Sequence, residues 1–291
     1  MQLFLPTMKD EPFIQNLCLH THNLFCDGTE DINTLINSAV SQGVKQIGIS
    51  SHAPLKIPIK WSMEYNQLEN YQSEIVDLKA AYRTEIEVFT SLEIDYIPNK
   101  TYSFDFFRKK LQLDYTIGSI HLVINHRNGQ LWFIDGPKEQ CIHNMNAVFE
   151  GDVKLAITSF YAQSREMIRS QKPDIIGHLD KVIMNTRHLF DPSERWYQEE
   201  VHKTLEEIRA HHVIVEVNTR GVYKRKWKET FPSEIILQKC FDMRIPILIS
   251  SDAHHAKELL LGYSDARKLL KQIGFRYQQG RINSKWGNIP I

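Results

Sequence analysis

Residues 16–54 read "NLCLHTHNLFCDGTEDINTLINSAVSQGVKQIGISSHAP", and the fold turns on this stretch. It opens with a short apolar run, "NLCLH" (16–20), passes through a polar turn, and ends in a second run, "QIGIS" (46–50). Between them, Ile32, Leu35, Ile36, Ala39 and Val40 recur with helical spacing and share one face. Thr29 is placed to cap that helix, and Gly43 sits where it would end. The unit is strand, helix, strand. Short runs rich in Ile and Val suit buried parallel strands better than half-exposed antiparallel ones.

The same alternation runs along the chain. Five further runs read as strands: "EVFTSLEI" (87–94), "DYTIGSIH" (114–121), "DIIGHL" (174–179), "VIVEVN" (213–218) and "PILISS" (246–251). In "DPSE" (191–194), Asp191 offers a cap, Pro192 a first turn and Glu194 a capping-box partner for a helix whose apolar stripe is Val201, Leu205 and Ile208. No repeat or linker divides the sequence, so residues 1–291 read as a single domain. Strand–helix alternation throughout predicts a parallel sheet with helices outside. Seven units over 291 residues come close to an α/β barrel. An open doubly wound sheet is the rival, and it would gather ligand groups from only a few loops.

The ionisable residues favour the barrel. His20 and His22 close the first run, and His52 follows the second. Glu93, His121 and His178 lie at or near the ends of the third, fourth and fifth, and Asp252 and His254 follow the seventh. A barrel brings the C-terminal ends of its strands to one face, where barrel enzymes do their chemistry. In a straight strand residues i and i+2 share a face, so His20 and His22 can reach one ion together. Imidazole with carboxylate suits zinc, manganese or iron rather than calcium. The donors outnumber what one tetrahedral ion uses, which predicts two or three clustered ions and, with them, phosphoester chemistry.

The rest of the composition bounds the function. The chain carries 35 basic and 35 acidic side chains, without the basic surplus of a dedicated nucleic-acid binder. No apolar segment approaches membrane-spanning length. The opening "MQLFLPTMKDEPF" lacks the basic start and apolar run of a signal peptide. Cysteines 18, 26, 141 and 240 show no paired spacing and read as reduced thiols of a cytoplasmic protein. His126, His143, His188, His202, His211 and His212 read as solvated, and His255 as a neighbour of the site at most. The aromatic run "YSFDFF" (102–107) reads as core or pocket wall.

"HTH", "CDGTEDINTLINSAVSQGVKQIGISSH", "SLEIDY", "GSIH", "IGHLD" and "SDAH", in this order, resemble the polymerase-and-histidinol-phosphatase (PHP) family of metal-dependent phosphoesterases. The likeness spans about residues 16–275 and implies a distorted TIM-like (β/α)7 barrel. "SSHAP", "SIHLV", "GHLDKV" and "VEVNTRGVYKRKWKETFPS" look like the histidinol-phosphatase branch. The resemblance implies that His20, His22, Glu93 and Asp252 surround a first ion. Glu93 would bridge to a second ion completed by His121 and His178, and Asp27, His52 and His254 would hold a third. Many members read Asp-x-His-x-His; here Cys18 takes the Asp position. Cys26 is a possible zinc ligand, but Asp27 falls where the family places one, with Gly28 supplying the turn.

The expected reaction is hydrolysis of a phosphate monoester by a metal-activated water, with Asp252 or His254 moving protons. Arg220 is the first candidate for gripping phosphate, followed by Lys181, Arg187, Lys224 and Arg225. The branch likeness implies L-histidinol phosphate as substrate, with an oligomer possible. Alternatives are another phosphate monoester, a nucleotide or phosphodiester, or a metal-dependent amidohydrolase. The amidohydrolase reading expects a carbamylated Lys or a His bridge in mid-chain, where this sequence has Glu93.

Overall fold

The computed structural model describes residues 16–291. The opening stretch "MQLFLPTMKDEPF" lies outside the described residues. The strands are β1 (Asn16–Cys18), β2 (Val44–Ile49), β3 (Glu87–Thr90), β4 (Glu93–Asp95), β5 (Ile117–Ser119), β6 (Leu122–Ile124), β7 (Leu131–Phe133), β8 (Ile175–Ile176), β9 (Ile214–Asn218), β10 (Ile247–Ser250), β11 (Tyr277–Ile282) and β12 (Lys285–Pro290). Two parallel sheets, β1-β2-β3 and β10-β9-β8-β5-β4, form the wall. Parallel bridges close it: Thr21 to Ala253 at one seam and His52 to Glu93 at the other. With β3 and β4 counted as one position, the ring has seven staves. The chain is a distorted TIM-like (β/α)7 barrel.

Two expectations about the staves are corrected. The third was read as one strand over 87–94, but it breaks at Ser91–Leu92 because it changes partner: β3 pairs with β2, and β4 with β5. The first was read through His20, but β1 ends at Cys18. Beyond it, side chains replace part of the ladder. The Thr21 N–H donates to Ser50 Oγ at 2.9 Å, and Thr21 Oγ1 donates to the Gly48 carbonyl at 2.7 Å. His20 and His22 therefore sit on irregular chain at the barrel mouth.

Side-chain alternation builds the interior in layers. Leu17, Leu19, Tyr115, Ile117, Ile175, Ile214 and Leu248 form an apolar floor with Ile289. Two residues further along β5, β9 and β10, on the same faces, stand Ser119, Glu216 and Ser250, all buried. The floor is thus apolar and the layer above it polar. Gly48 belongs to the floor because Tyr115 crosses it: a Cβ there would lie 1.6 Å from the Tyr115 hydroxyl, which donates to the Leu19 carbonyl at 2.5 Å.

Helices cover the outside. Ile32–Ser41 buries Ile32, Leu35, Ile36 and Ala39 as expected, and Gly43 follows it with φ 73°. Its cap is Asp31, which accepts the Thr34 N–H at 2.7 Å, and not Thr29. Thr29 instead donates its N–H to the His254 carbonyl at 2.9 Å, tying the first loop to the last. The helix expected from "DPSE" begins at Arg195. The Asp191 N–H does donate to Glu194 Oε1 at 3.2 Å, but this closes a turn just ahead of the helix. Val201, Leu205 and Ile208 are buried as its stripe. In "YSFDFF", Phe104 and Phe107 are core residues.

Two antiparallel hairpins were not read from the sequence. One, β6–β7, follows His121 and leans over the mouth. The other, β11–β12, closes the opposite end. It is fastened through Gln46, whose Oε1 accepts the Arg281 N–H at 3.0 Å, and through Gln278, whose Oε1 accepts the Ile249 N–H at 3.1 Å. Among the described residues, no helix is long and apolar enough to cross a membrane.

Candidate metal centre and active site

The nine side chains named as ligand candidates meet at the barrel mouth. His20 Nε2 and His22 Nε2 face each other at 3.1 Å. Glu93 Oε2 lies 3.3 Å from His20 Nε2, 3.4 Å from His22 Nε2 and 3.1 Å from His52 Nδ1. Asp252 Oδ1 lies 3.3 Å from His22 Nε2. Glu93 Oε1 lies 2.9 Å from His178 Nε2 and 4.0 Å from His121 Nε2. Asp27 Oδ1 lies 3.3 Å from His254 Nε2 and 3.8 Å from His52 Nε2.

Three overlapping groups have atoms close enough to share an ion: His22, Asp27, His52 and His254; His20, His22 and Asp252; and His52, Glu93 and His121. Glu93 sits between clusters, as a bridging carboxylate should. His22 appears in two groups, although the resemblance gave it to the first ion alone.

The surroundings fit cations. Asp252 Oδ1 and His52 Nδ1 are buried and make no hydrogen bond, an expensive state for polar atoms unless something else binds them. Burial, with His254 and His52 beside it, pushes the His22 ring well below its usual pKa. Burial likewise lowers His52 to about 4. Both rings therefore keep free lone pairs at neutral pH. Burial opposes ionisation of Glu93 and Asp252, yet the neighbouring His20 holds both carboxyls well below the usual range. His20 moves the other way: despite burial, Glu216, Glu93 and Asp252 raise it well above the usual imidazole value. Four buried carboxylates, Glu93, Asp252, Asp95 and Glu216, face these rings, an environment that a divalent ion fits.

Two carboxylates were missed as part of the site. Asp95 accepts from His121 Nδ1, with Oδ2 at 3.0 Å, and from the His121 N–H, with Oδ1 at 2.8 Å. Glu216 Oε1 meets His20 Nδ1 at 2.5 Å. Asp95 carried a sequence mark, standing two residues after Glu93 on the same face, whereas Glu216, inside its strand two residues after Ile214, carried none.

A cavity of about 250 Å³ opens above the cluster. Its wall includes Arg220, Lys181 and Lys226, and the aromatic pair Trp61 and Phe133, stacked at 4.7 Å. Arg220 Nη1 donates to the Asp252 carbonyl at 2.6 Å, and Lys181 Nζ lies 2.7 Å from Asp135 Oδ2. The remaining cations proposed for phosphate are placed elsewhere. Arg187 is exposed and lines a separate groove beside Tyr197 and Ile236. Lys224 is held by Glu258, and Arg225 is exposed; neither lines the cavity. Lys226, not singled out from the sequence, does. The short basic loop turns only one of its lysines toward the site, because Lys224 is drawn back to a buried carboxylate.

Cys26 Sγ stands 3.5 Å from His22 Nδ1, but burial raises the thiol to about 11, so it stays protonated. Cys18 is buried beside Ser251, its Sγ 3.6 Å from the serine hydroxyl. His255 turns away to Glu30 Oε1 at 2.7 Å. His126, His143, His188, His202 and His212 are exposed. His211 departs from the solvated reading: it is half-buried at a helix end, its Nδ1 3.0 Å from the Glu207 carbonyl.

Residues 18–220 match the family described as "PHP domain". The chain belongs to the PHP-domain family. Among curated PHP relatives, the "Probable histidinol-phosphatase" of Deinococcus radiodurans is 25% identical over 260 residues, covering 88% of this chain and 93% of the relative. The histidinol-phosphatase of Bacillus subtilis is 25% identical over 256 residues, covering 84% and 95%. Among solved structures, histidinol phosphate phosphatase from Lactococcus lactis superposes with a TM-score of 0.69 at 20% identity, covering 94% of this chain and 99% of the other. That structure holds zinc, L-histidinol and phosphate. At that identity the superposition speaks for the PHP fold.

Proposed function

We propose that this PHP chain is a metal-dependent phosphate monoester hydrolase, a histidinol-phosphatase that converts L-histidinol phosphate and water to L-histidinol and phosphate in histidine biosynthesis. The observation that carries the reading is the convergence of His20, His22, Asp27, His52, Glu93, His121, His178, Asp252 and His254 beneath a cavity walled by Arg220 and Lys181. The whole chain acts as one barrel unit on a small-molecule ester, in a cytoplasm where its four cysteines remain thiols.

Two or three divalent ions fit the donor set, with His20, His22, Glu93 and Asp252 on one, Glu93, His121 and His178 on another, and Asp27, His52 and His254 on a third. Zinc, manganese or iron, when bound, supplies Lewis acidity and a nucleophile at neutral pH. The chain's own residues do the rest. Arg220 and Lys181 grip the phosphoryl oxygens, where charge-assisted hydrogen bonds are strongest. Asp135 holds the Lys181 ammonium at the cavity edge, and the Asp252 carbonyl fixes the Arg220 fork. As water oxygen joins phosphorus and the ester P–O bond breaks, the departing alcohol oxygen takes a proton. The attacking water gives up a proton in the same step, and Asp252 or His254, both at the cavity wall with His254 Nδ1 3.4 Å from Asp252 Oδ1, is placed to pass it to that oxygen. The cavity is small and its aromatic pair offers a flat face for an imidazole.

The test is a substrate panel with metal-loaded protein. Phosphate release from L-histidinol phosphate should exceed that from other monoesters, nucleotides and a phosphodiester. Preference for a diester would move the chain to another branch of PHP phosphoesterases.

A further inference from the structure

Glu216 lies on the floor side of the ligand cluster, outside the nine candidates, and it is fully buried in mid-β9. A lone buried carboxylate is costly unless its lone pairs are filled. Here they are. Oε1 takes His20 Nδ1 at 2.5 Å and the Ser250 hydroxyl. Oε2 takes the His178 N–H at 2.7 Å and Asn218 Nδ2 at 3.1 Å. Four donors, two on β9 and β10 and two in the loops after β1 and β8, meet one acceptor-only group, which is the full capacity of a carboxylate.

Two of these contacts bear on metal. His20 Nδ1 donates to the acceptor-only Glu216, so Nε2 is the nitrogen that faces His22, Glu93 and Asp252 and would meet an ion. The His178 contact pins a backbone N–H whose residue has φ 27°, a conformation uncommon for a side-chain-bearing residue. That backbone aims His178 Nε2 at Glu93 Oε1, 2.9 Å away. The adjacent Gly177 leaves the room: a Cβ there would meet Ser119 Oγ at 2.4 Å and Glu216 Oε2 at 3.6 Å. Asp95, by contrast, serves one histidine only, His121.

We propose that Glu216 is a positioning residue that sets the His20 ring and the His178 backbone together, and so couples two ion subsites. This rests on the metal-binding part of the function proposed above and not on the substrate. A glutamine has the same shape, but its amide must turn an NH2 toward one donor pair. Glu216→Gln should therefore weaken zinc binding 10–100-fold, measured by titration against a competing chelator. The rise in melting temperature on adding zinc should shrink with it. A role in stability alone would lower the melting temperature of the metal-free protein and leave zinc affinity unchanged; that result overturns the proposal. Asp95→Asn, run beside it, should weaken fewer ions per chain, and an equal or greater loss there would also contradict the coupling. If Glu216→Gln fails to fold, ring ¹⁵N spectra of the zinc-loaded wild type decide: His20 must bind through Nε2 with its proton on Nδ1, and binding through Nδ1 sinks the idea. Wild type that takes up no zinc removes the functional reading as well, whereas wild type that binds while the variant binds equally removes this inference alone.

Discussion

At the residue scale, the site depends on direction as much as identity. His178 sits at φ 27° and Asp252 at φ 51°, so two ligand candidates occupy left-handed backbone that ordinary side chains rarely adopt. We expect His178→Ala to lower kcat/KM by about 10²-fold or more, the loss expected when a metal ligand is removed, with an unchanged circular dichroism spectrum. Retained turnover would remove His178 from the centre. Cys26 and Asp27 separate cleanly. Cys26→Ser should keep metal content and turnover within about threefold, because its thiol is held protonated by burial. Asp27→Asn should release one ion per chain, seen by elemental analysis. His20 and His22 were legible because they end an apolar run, and Asp252 and His254 because they follow another. Glu216 was not, because it lies inside its strand. Its inward direction shows only once Ile214 is known to be floor.

At the scale of elements, the staves were legible from their Ile- and Val-rich runs, and their exact ends were not. The break at Ser91–Leu92 comes from a change of pairing partner, a long-range fact with no local signal. The C-terminal hairpin was missed because "YQQGRINSKWGNIP" has no sustained apolar run. Its turn did carry a mark: Asn283 and Ser284 both have positive φ, as a two-residue hairpin turn demands. Ile289 from this hairpin completes the barrel floor. Ile289→Ala should destabilise the fold by about 2–5 kcal/mol in urea unfolding, since the cavity it leaves is walled by rigid staves. The KM of the folded fraction should stay unchanged, because the floor lies below the ligand layer. Gly48→Ala should cost about 1–3 kcal/mol or more, by forcing Tyr115 off the Leu19 carbonyl.

At the scale of the whole molecule, the mouth of the barrel concentrates buried carboxylates. Glu93, Asp252, Glu216 and Asp95 are all buried around the same histidines. Bound cations therefore stabilise the native chain and not the unfolded one. Zinc at about 100 times its Kd should add about 2.7 kcal/mol, and a chelator should remove it reversibly along with activity. A melting temperature indifferent to chelation would mean that the acids are satisfied without metal. The most direct test joins the two halves of the account: count the metal in purified protein, then measure phosphate release from L-histidinol phosphate beside a nucleotide and a phosphodiester. Two or three zinc, manganese or iron ions per chain, with kcat/KM highest for L-histidinol phosphate, is the predicted result. A chain that binds no such ion after loading and releases no phosphate from any monoester would contradict it.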